Sequence, residues 1–485
     1  MTPQWPEAIY QKTFNSDWDG NPYIECLPSL MSLDDFLRSV ASFPAYSLDE
    51  RALPAHFRRH LIARLSNLLI PTTEMVSAHQ RLEVALRQGY IARNPRNPSY
   101  VRAMYGSPKG ERTRLNSSAS CFLITGLSGT GKTTILETVL GRYPQVIMHR
   151  GIAPGIGVQH QVVWLKVDCP HDASLKGLCL AISRALDNLL GTTYHDEWST
   201  SRASIDDLQD HVTTLVRNLS VGVLVLDELQ HLSSAKVGGD KKFLHFLVNL
   251  INEAGVPIVF AGTYILKSIL SQQMPNARRV TGSGTITVAR LKRSDPLWSA
   301  FVQTMWAFQW VANPAPLTSV IEDALYECTQ GLRDGIVKLF MSAQNLALDS
   351  GSETVDEKTL RQAYDVYFTP MHKVISLLHD GVDDWDPRFD DLLRNAWSIA
   401  AKHTPSRDVA SHGADDETRS NDEQNKRAMD PAKCDRAASL PPTPQTHEPE
   451  CTDLRDVSGD AYEEIAAKGL IARAGDPSSI LRLVK

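Results

Sequence analysis

Apolar positions along the chain follow two different periods, and the predicted element changes where the period does. Ser32 stands three residues before Asp35 as a start signal, and Phe36, Leu37 and Val40 then share one helical face. A second helix carries Phe57, Leu61, Leu65 and Leu68 and is closed by Pro71, and a third amphipathic segment covers residues 74–89. Short, mostly apolar strand candidates follow at residues 121–124, 146–149, 162–167, 221–226, 257–261 and 285–291. Helical patterns near residues 175–190 and 205–218 separate some of them, and a Gly-rich bend is expected over 151–157. Runs of this kind, alternating with helices, predict an α/β fold with a parallel sheet covered on both faces. From about 298 to 368 the pattern is purely helical, and 371–378 and 389–399 continue it.

These changes divide the chain into six parts: an N-terminal arm (1–30), a helical region (31–105), an α/β core (106–295), a helical lid with flanking helices (296–400), a linker (401–455) and a C-terminal segment (456–485). The first 30 residues are rich in Pro, Asn, Asp and aromatics without helical period, which suits either an arm folded against a neighbour or a disordered start. Between about 402 and 451 large apolar residues nearly vanish, the composition of a disordered linker. Helical spacing returns over 461–471, and Ile480, Leu481, Leu483 and Val484 end the chain. That pattern fits a docking peptide that folds on binding, and equally an inert tail.

The chemistry concentrates where the first apolar run ends. Residues 121–124 open onto Gly126, Leu127, Ser128, Gly129, Thr130, Gly131, Lys132, Thr133 and Thr134, after which Ile135 and Leu136 restart a helix. Strand, glycine-rich loop and helix in this order make a P-loop, whose backbone amides curl around a polyphosphate because no Cβ blocks the approach. The helix start adds its positive end, Lys132 a point charge for the outer phosphates of ATP, and Thr133 a hydroxyl for Mg2+. About a hundred residues on, the run 221–226 delivers Asp227 and Glu228. In that setting Asp227 is expected in the Mg2+ shell and Glu228 beside the attacking water. Residues 257–261 lead to Gly262 and Thr263, where Thr263 either senses the terminal phosphate or caps the next helix. Arg278 and Arg279 stand where an arginine reaches the nucleotide of an adjacent subunit or merely balances a helix dipole.

Composition narrows the setting. The 485 residues carry 50 Lys and Arg against 56 Asp and Glu, a net charge of −6 that excludes a uniformly basic nucleic-acid coat but not a local basic surface. Lys236, Lys241 and Lys242, or Lys109, Arg112 and Arg114, can track a DNA backbone or serve only for solubility. Seven cysteines without paired spacing read as small buried hydrophobes of a reducing cytosol. Trp5, Pro6 and Glu7 stand where a signal peptide would need a basic and then apolar segment, and no run is long enough to span a membrane.

On Gly126 to Thr133, on residues 221–228 with Gln230 and His231, on Phe260 to Thr263, and on the lid residues Thr329, Gln330, Gly331, Leu332, Leu339 and Phe340, the chain resembles AAA+ ATPases. With Gly89, Tyr90, Arg93, Asn94 and Pro95 upstream, it is similar to the TnsC/TniB group of transposition regulators over about residues 50–370. The resemblance implies an AAA+ P-loop domain that binds ATP between subunits and forms a homo-oligomeric ring or filament around duplex DNA, largely without sequence preference. It further implies a cytoplasmic, nucleoid-associated protein that passes information from a target selector to transposase subunits, with hydrolysis dismantling the assembly. Thr263 stands where many AAA+ proteins have Asn, and Asp334 where a lid arginine often falls, with Arg333 one residue away. A helicase loader or other remodelling ATPase, and a signalling ATPase without DNA binding, are the competing readings.

Overall fold

The computed structural model describes residues 5–105, 119–153, 156–170, 174–200, 202–229, 239–264, 266 and 283–381. Upstream of the sheet lie α1 (Pro22–Glu25), α2 (Leu33–Val40), α3 (Ala55–Ile62), α4 (Thr73–Ile91) and α5 (Pro98–Tyr105). The α/β part runs β1 (Phe122–Thr125), α6 (Lys132–Leu140), β2 (Val146–Ala153), β3 (Ile156–Val162), β4 (Trp164–Asp168), α7 (Leu175–Leu190), α8 (Tyr194–Ser199), α9 (Ile205–Asn218), β5 (Val223–Asp227), α10 (Gly239–Ala254), β6 (Ile258–Gly262) and β7 (Thr285–Thr287). The helices α11 (Pro296–Trp306), α12 (Ser319–Thr329), α13 (Arg333–Ser350), α14 (Glu357–Tyr367) and α15 (His372–His379) follow.

Five strands form one parallel sheet in the order β4-β5-β6-β1-β7. Every residue of β1, β5 and β6 is buried, and alternate residues serve opposite cores, as a strand's period of two requires. Leu123, Leu224, Leu226, Ile258 and Phe260 face α7, α9 and α10, whereas Phe122, Ile124, Val223, Val225 and Val259 face α4 and α6. Parallel pairing places the ends of β1, β4, β5 and β6 on one edge of the sheet, where α/β folds gather their ligands.

The helices upstream of the P-loop share the cores of the rest of the chain. Met75, Leu82, Leu86 and Tyr90 of α4 cover the sheet, while Tyr46, Ile62, Leu65 and Ile70 join the core of the helical lid. Ser32 caps α2 through the Asp35 amide at 3.1 Å, as the spacing predicts. The helix expected to run to Pro71 ends at Ile62 and passes into a 3-10 turn, Ala63–Asn67. Within the arm, Met148 N and O bond Pro6 O and Ala8 N at 2.9 Å each, and Tyr10 Oη meets His149 Nδ1 at 2.9 Å.

Three strand expectations are corrected. The glycine-rich bend of 151–157 belongs largely to an antiparallel hairpin of β2 and β3, a second sheet with a register shift between Arg150 and Ala153. The single strand expected over 162–167 is two, because the chain leaves that hairpin at Val162 and enters the main sheet at Trp164. The run 285–291 is strand only over Thr285–Thr287; Val288 N still bonds Thr125 O of β1 at 2.7 Å, and by Leu291 the chain has turned to the lid, where Leu291 N bonds Gly331 O at 3.0 Å. Among the described residues the cysteines are free thiols, and burial pushes Cys121 and Cys179 up to about 12. No described helix is long and apolar enough to cross a membrane. Residues 389–399, the linker 401–455 and the segment 456–485 lie outside the described residues.

Gly89, Tyr90 and Arg93 brace the entry of β5. Arg93 is fully buried, and its guanidinium donates to Gly89 O (2.7 Å), Val221 O and Gly222 O (3.2 Å) with its carbon 4.5 Å from the Tyr90 ring centroid. Burial lowers its pKa from the ordinary guanidinium value, with the surrounding tyrosines opposing. A Cβ on Gly89 would meet Pro257 Cγ at 2.7 Å, so α4 sits close against the start of β6. Arg93→Met keeps the volume but strands three carbonyls, each worth about 1–3 kcal/mol when left unpaired. We expect a loss of roughly 3 kcal/mol or more in denaturant unfolding, with little rescue by Arg93→Lys, whose ammonium lacks the planar fork.

Candidate nucleotide site

The P-loop takes its shape from close backbone approach. A Cβ on Gly126 would lie 2.3 Å from Val288 O, and Gly129 and Gly131 have φ of +81° and +99°, where a side chain is strained. Gly131 caps α6, so the amides of Lys132, Thr133 and Thr134 lack partners within the helix, and Ile135 N makes the first turn bond to Gly131 O at 2.9 Å. Amides at a helix start, with the helix dipole behind them, form an anion cradle. Leu127 and Thr130 are buried, Ser128 is half-buried and Thr134 is exposed. The buried Lys132 ammonium donates to Gly126 O and Leu127 O at 2.9 and 2.8 Å, which keeps it at the loop's mouth.

Across the sheet edge, the buried Asp227 accepts from the Glu228 amide at 2.9 Å through Oδ1 and from Thr133 Oγ1 at 3.2 Å through Oδ2. These hard oxygen donors from two elements are the type that suits Mg2+. Glu228 leaves the strand at φ +56°, a left-handed conformation costing a non-glycine residue about 1–2 kcal/mol, and is half-buried. Lys166 of β4 lies 3.6 Å from Asp227 Oδ2 and 3.0 Å from Glu137 Oε1. Burial disfavours its charge, yet the Glu137 hydrogen bond and the Asp227 carboxylate hold its pKa above the ordinary lysine range. Thr263 is buried just past β6, the strand between β5 and β1. Lys242 is exposed on α10, while Gln230, His231, Lys109, Arg112, Arg114, Lys236, the Lys241 side chain, Arg278 and Arg279 lie outside the described residues.

The lid closes the third side. Asp334 N is bonded to Gly129 O at 3.2 Å, and Arg333 Nη1 donates to Thr130 O at 2.9 Å and Ala289 O at 3.2 Å. Among the described residues Arg333 Nε is buried without a hydrogen-bond partner, and burial lowers the pKa of the group against the charges of Glu74 and Asp295. The one-residue offset left open by the sequence thus has a geometric answer. Arg333 reaches the loop, whereas the Asp334 carboxylate pairs with Lys338 at 2.7 Å.

Sequence reasoning missed the cavity beside the loop. It has a volume of about 670 Å³, of the size that holds small ligands, and Leu69, Ile70, Met75, Ile135, Val337 and Met341 supply apolar wall. Thr130, Gly131, Thr134 and Arg333 line its polar end. Apolar walls beside an anion cradle suit a base joined to phosphates. The available signal was the pair Leu69 and Ile70 ahead of Pro71, two apolar residues beyond the Leu61, Leu65 and Leu68 series of the predicted helix. Removing the free Arg333 donor should cost a charge-assisted hydrogen bond. Arg333→Ala is expected to weaken ATP binding roughly tenfold, about 1.4 kcal/mol, in a fluorescent-nucleotide titration. Met341→Trp, which fills the apolar end, should weaken it at least as much.

Residues 113–270 match the family model described as AAA domain. No curated protein matches the chain. Among solved structures, that of the Aeropyrum pernix ORC1 protein in complex with DNA is 16% identical, with 70% of this chain and 80% of that chain covered at a TM-score of 0.40. The Walker-type ATPase of Pyrococcus abyssi is 14% identical over 59% and 81% at 0.33, and Cdc6p of Pyrobaculum aerophilum 12% identical over 65% and 83% at 0.37. Over residues 113–270, about a third of its length, this α/β chain is therefore similar to AAA domains.

Proposed function

We propose that the chain is an ATP-dependent regulator of transposition that assembles as a ring or filament on target duplex DNA and links a target selector to transposase subunits. The observation that carries the nucleotide gating is the contact of α13 with the P-loop, Asp334 N to Gly129 O and Arg333 to Thr130 O. A ligand that reshapes the loop must act on the lid at the same point. Transposition is supported by the motif set already named, Gly89, Tyr90 and Arg93 together with the Thr329 to Leu332 lid segment.

In this reading the amides from Gly129 to Thr134 bind the phosphates, and Lys132 exchanges the carbonyls of Gly126 and Leu127 for phosphate oxygens. Thr133 and Asp227 would hold Mg2+, which supplies neutralisation of the phosphate charge when bound. Glu228 orients and deprotonates the attacking water, and Thr263 senses the terminal phosphate from the neighbouring strand end. Arg278 or Arg279 acts on the nucleotide of the next subunit. The cavity lined by Leu69, Ile70 and Met341 takes the base. Duplex DNA is held through its phosphates, so binding weakens steeply with salt.

Electron microscopy and sedimentation of the chain with duplex DNA and a non-hydrolysable ATP analogue test this. DNA-centred rings or filaments that need the nucleotide are expected. Lys132→Ala should lower nucleotide affinity by roughly a hundredfold or more and abolish assembly, while Glu228→Gln should trap the ATP-bound form. Equal DNA binding without nucleotide, or a single copy at saturation with both ligands, would refute the proposal. Nucleotide-dependent complexes lacking DNA would point to a remodelling ATPase instead.

A further inference from the structure

The Asp227 carboxylate accepts hydrogen bonds from the Glu228 amide and the Thr133 hydroxyl and forms an ion pair with Lys166, which has no part in the reading above. The register of β4 on β5 sets Asp168 opposite Asp227 and Lys166 opposite Val225, so all four occupy one face of the sheet, the face that α6 covers. From that position Lys166 Nζ lies 3.6 Å from Asp227 Oδ2, the oxygen that also accepts from Thr133, and 3.0 Å from Glu137 Oε1. The Asp227 side chain is 3% exposed, Lys166 21% and Glu137 63%. Glu137 follows Thr133 by four residues on α6, which puts the two side chains on the same helix face.

We propose that Lys166 is a positioning residue that sets the divalent-cation affinity of the Thr133 and Asp227 pair by engaging Asp227 Oδ2, and that Glu137 tunes it by drawing the ammonium away. The proposal rests on the assignment of those two residues to Mg2+. A divalent ion at the pair meets the fixed positive charge of Lys166 and competes with it for one carboxylate oxygen. Without a cation, the same lysine relieves repulsion among Glu137, Asp168 and Asp227. A unit charge this close, screened by partial exposure, changes cation affinity by roughly five- to tenfold. Glu137 acts in the opposite direction and more weakly, because it is the more exposed partner.

The test measures free Mn2+ by electron paramagnetic resonance in titrations of the full chain with a fluorescent, non-hydrolysable ATP analogue. Lys166→Met is expected to tighten Mn2+ binding about five- to tenfold, and Glu137→Gln to loosen it about two- to threefold. Combined with Lys166→Met, the Glu137→Gln effect should vanish, and Lys166→Arg should lie within about twofold of the wild type. Unchanged or weaker Mn2+ binding by Lys166→Met, with the analogue still bound, overturns the proposal. If Lys166→Met fails to fold, Glu137→Gln decides, and unchanged Mn2+ affinity there overturns it. A wild-type chain that does not bind the analogue, read from its fluorescence, overturns the nucleotide site itself and this proposal with it.

Discussion

Two backbone approaches too close for any side chain hold the loop and the lid to one short segment. Gly126 lies against Val288 O, where a Cβ would come within 2.3 Å, and Gly331 against Leu291 O, where it would come within 1.9 Å. Both carbonyls belong to the residues that follow β7, so that segment is at once the wall of the P-loop and the seat of α13. Hydrogen bonds at each end, Val288 N to Thr125 O at 2.7 Å and Leu291 N to Gly331 O at 3.0 Å, fix its position. Close-packed backbone transmits displacement because it has no side chain to absorb it. A change of loop shape therefore reaches the lid through this segment as well as through Arg333.

Strand β5 is secured at both ends by charge. At its start the Arg93 guanidinium, buried without a carboxylate near enough to form an ion pair among the described residues, is satisfied by the carbonyls of Gly89, Val221 and Gly222. At its finish Asp227 gathers the Glu228 amide, the Thr133 hydroxyl and the Lys166 ammonium. The two ends differ in what they tolerate. Carbonyls around a buried cation leave no room for exchange, and that end is structural. A carboxylate with an ammonium at 3.6 Å, shared with a second acid, retains a contact that another cation can replace. The motif Gly89, Tyr90 and Arg93 thus acts on the acid pair from the far end of the strand, by fixing where the strand begins.

Much of the site was legible because its chemistry is contiguous. A loop that wraps phosphate needs its glycines, lysine and threonine side by side, and an acid pair after an apolar run marks a strand end. The structure brings Thr133 and Asp227, 94 positions apart, to 3.2 Å. Boundaries were read less well. Residues 162–167 look like one strand since Val162, Val163, Leu165 and Val167 are all buried, yet Val162 belongs to the hairpin and Leu165 to the sheet. Hydropathy does not distinguish burial in one sheet from burial in another. Leu291 is apolar enough to extend the strand, but its amide is taken by Gly331 O of the lid, while Val288 still bonds β1.

What the sequence determined by itself was the order of elements, the doubly covered parallel sheet, and the loop and acids at its edge, because these follow from periodicity and from spacing within single segments. Only the tertiary structure decided that Arg333, not Asp334, points its charge at the loop, that Leu69 and Met341 face one cavity, and that Lys166 stands between Glu137 and Asp227. Each of these joins residues from different elements. Their meeting depends on crossing helices and on strand register, quantities that no local pattern of apolar and polar residues carries.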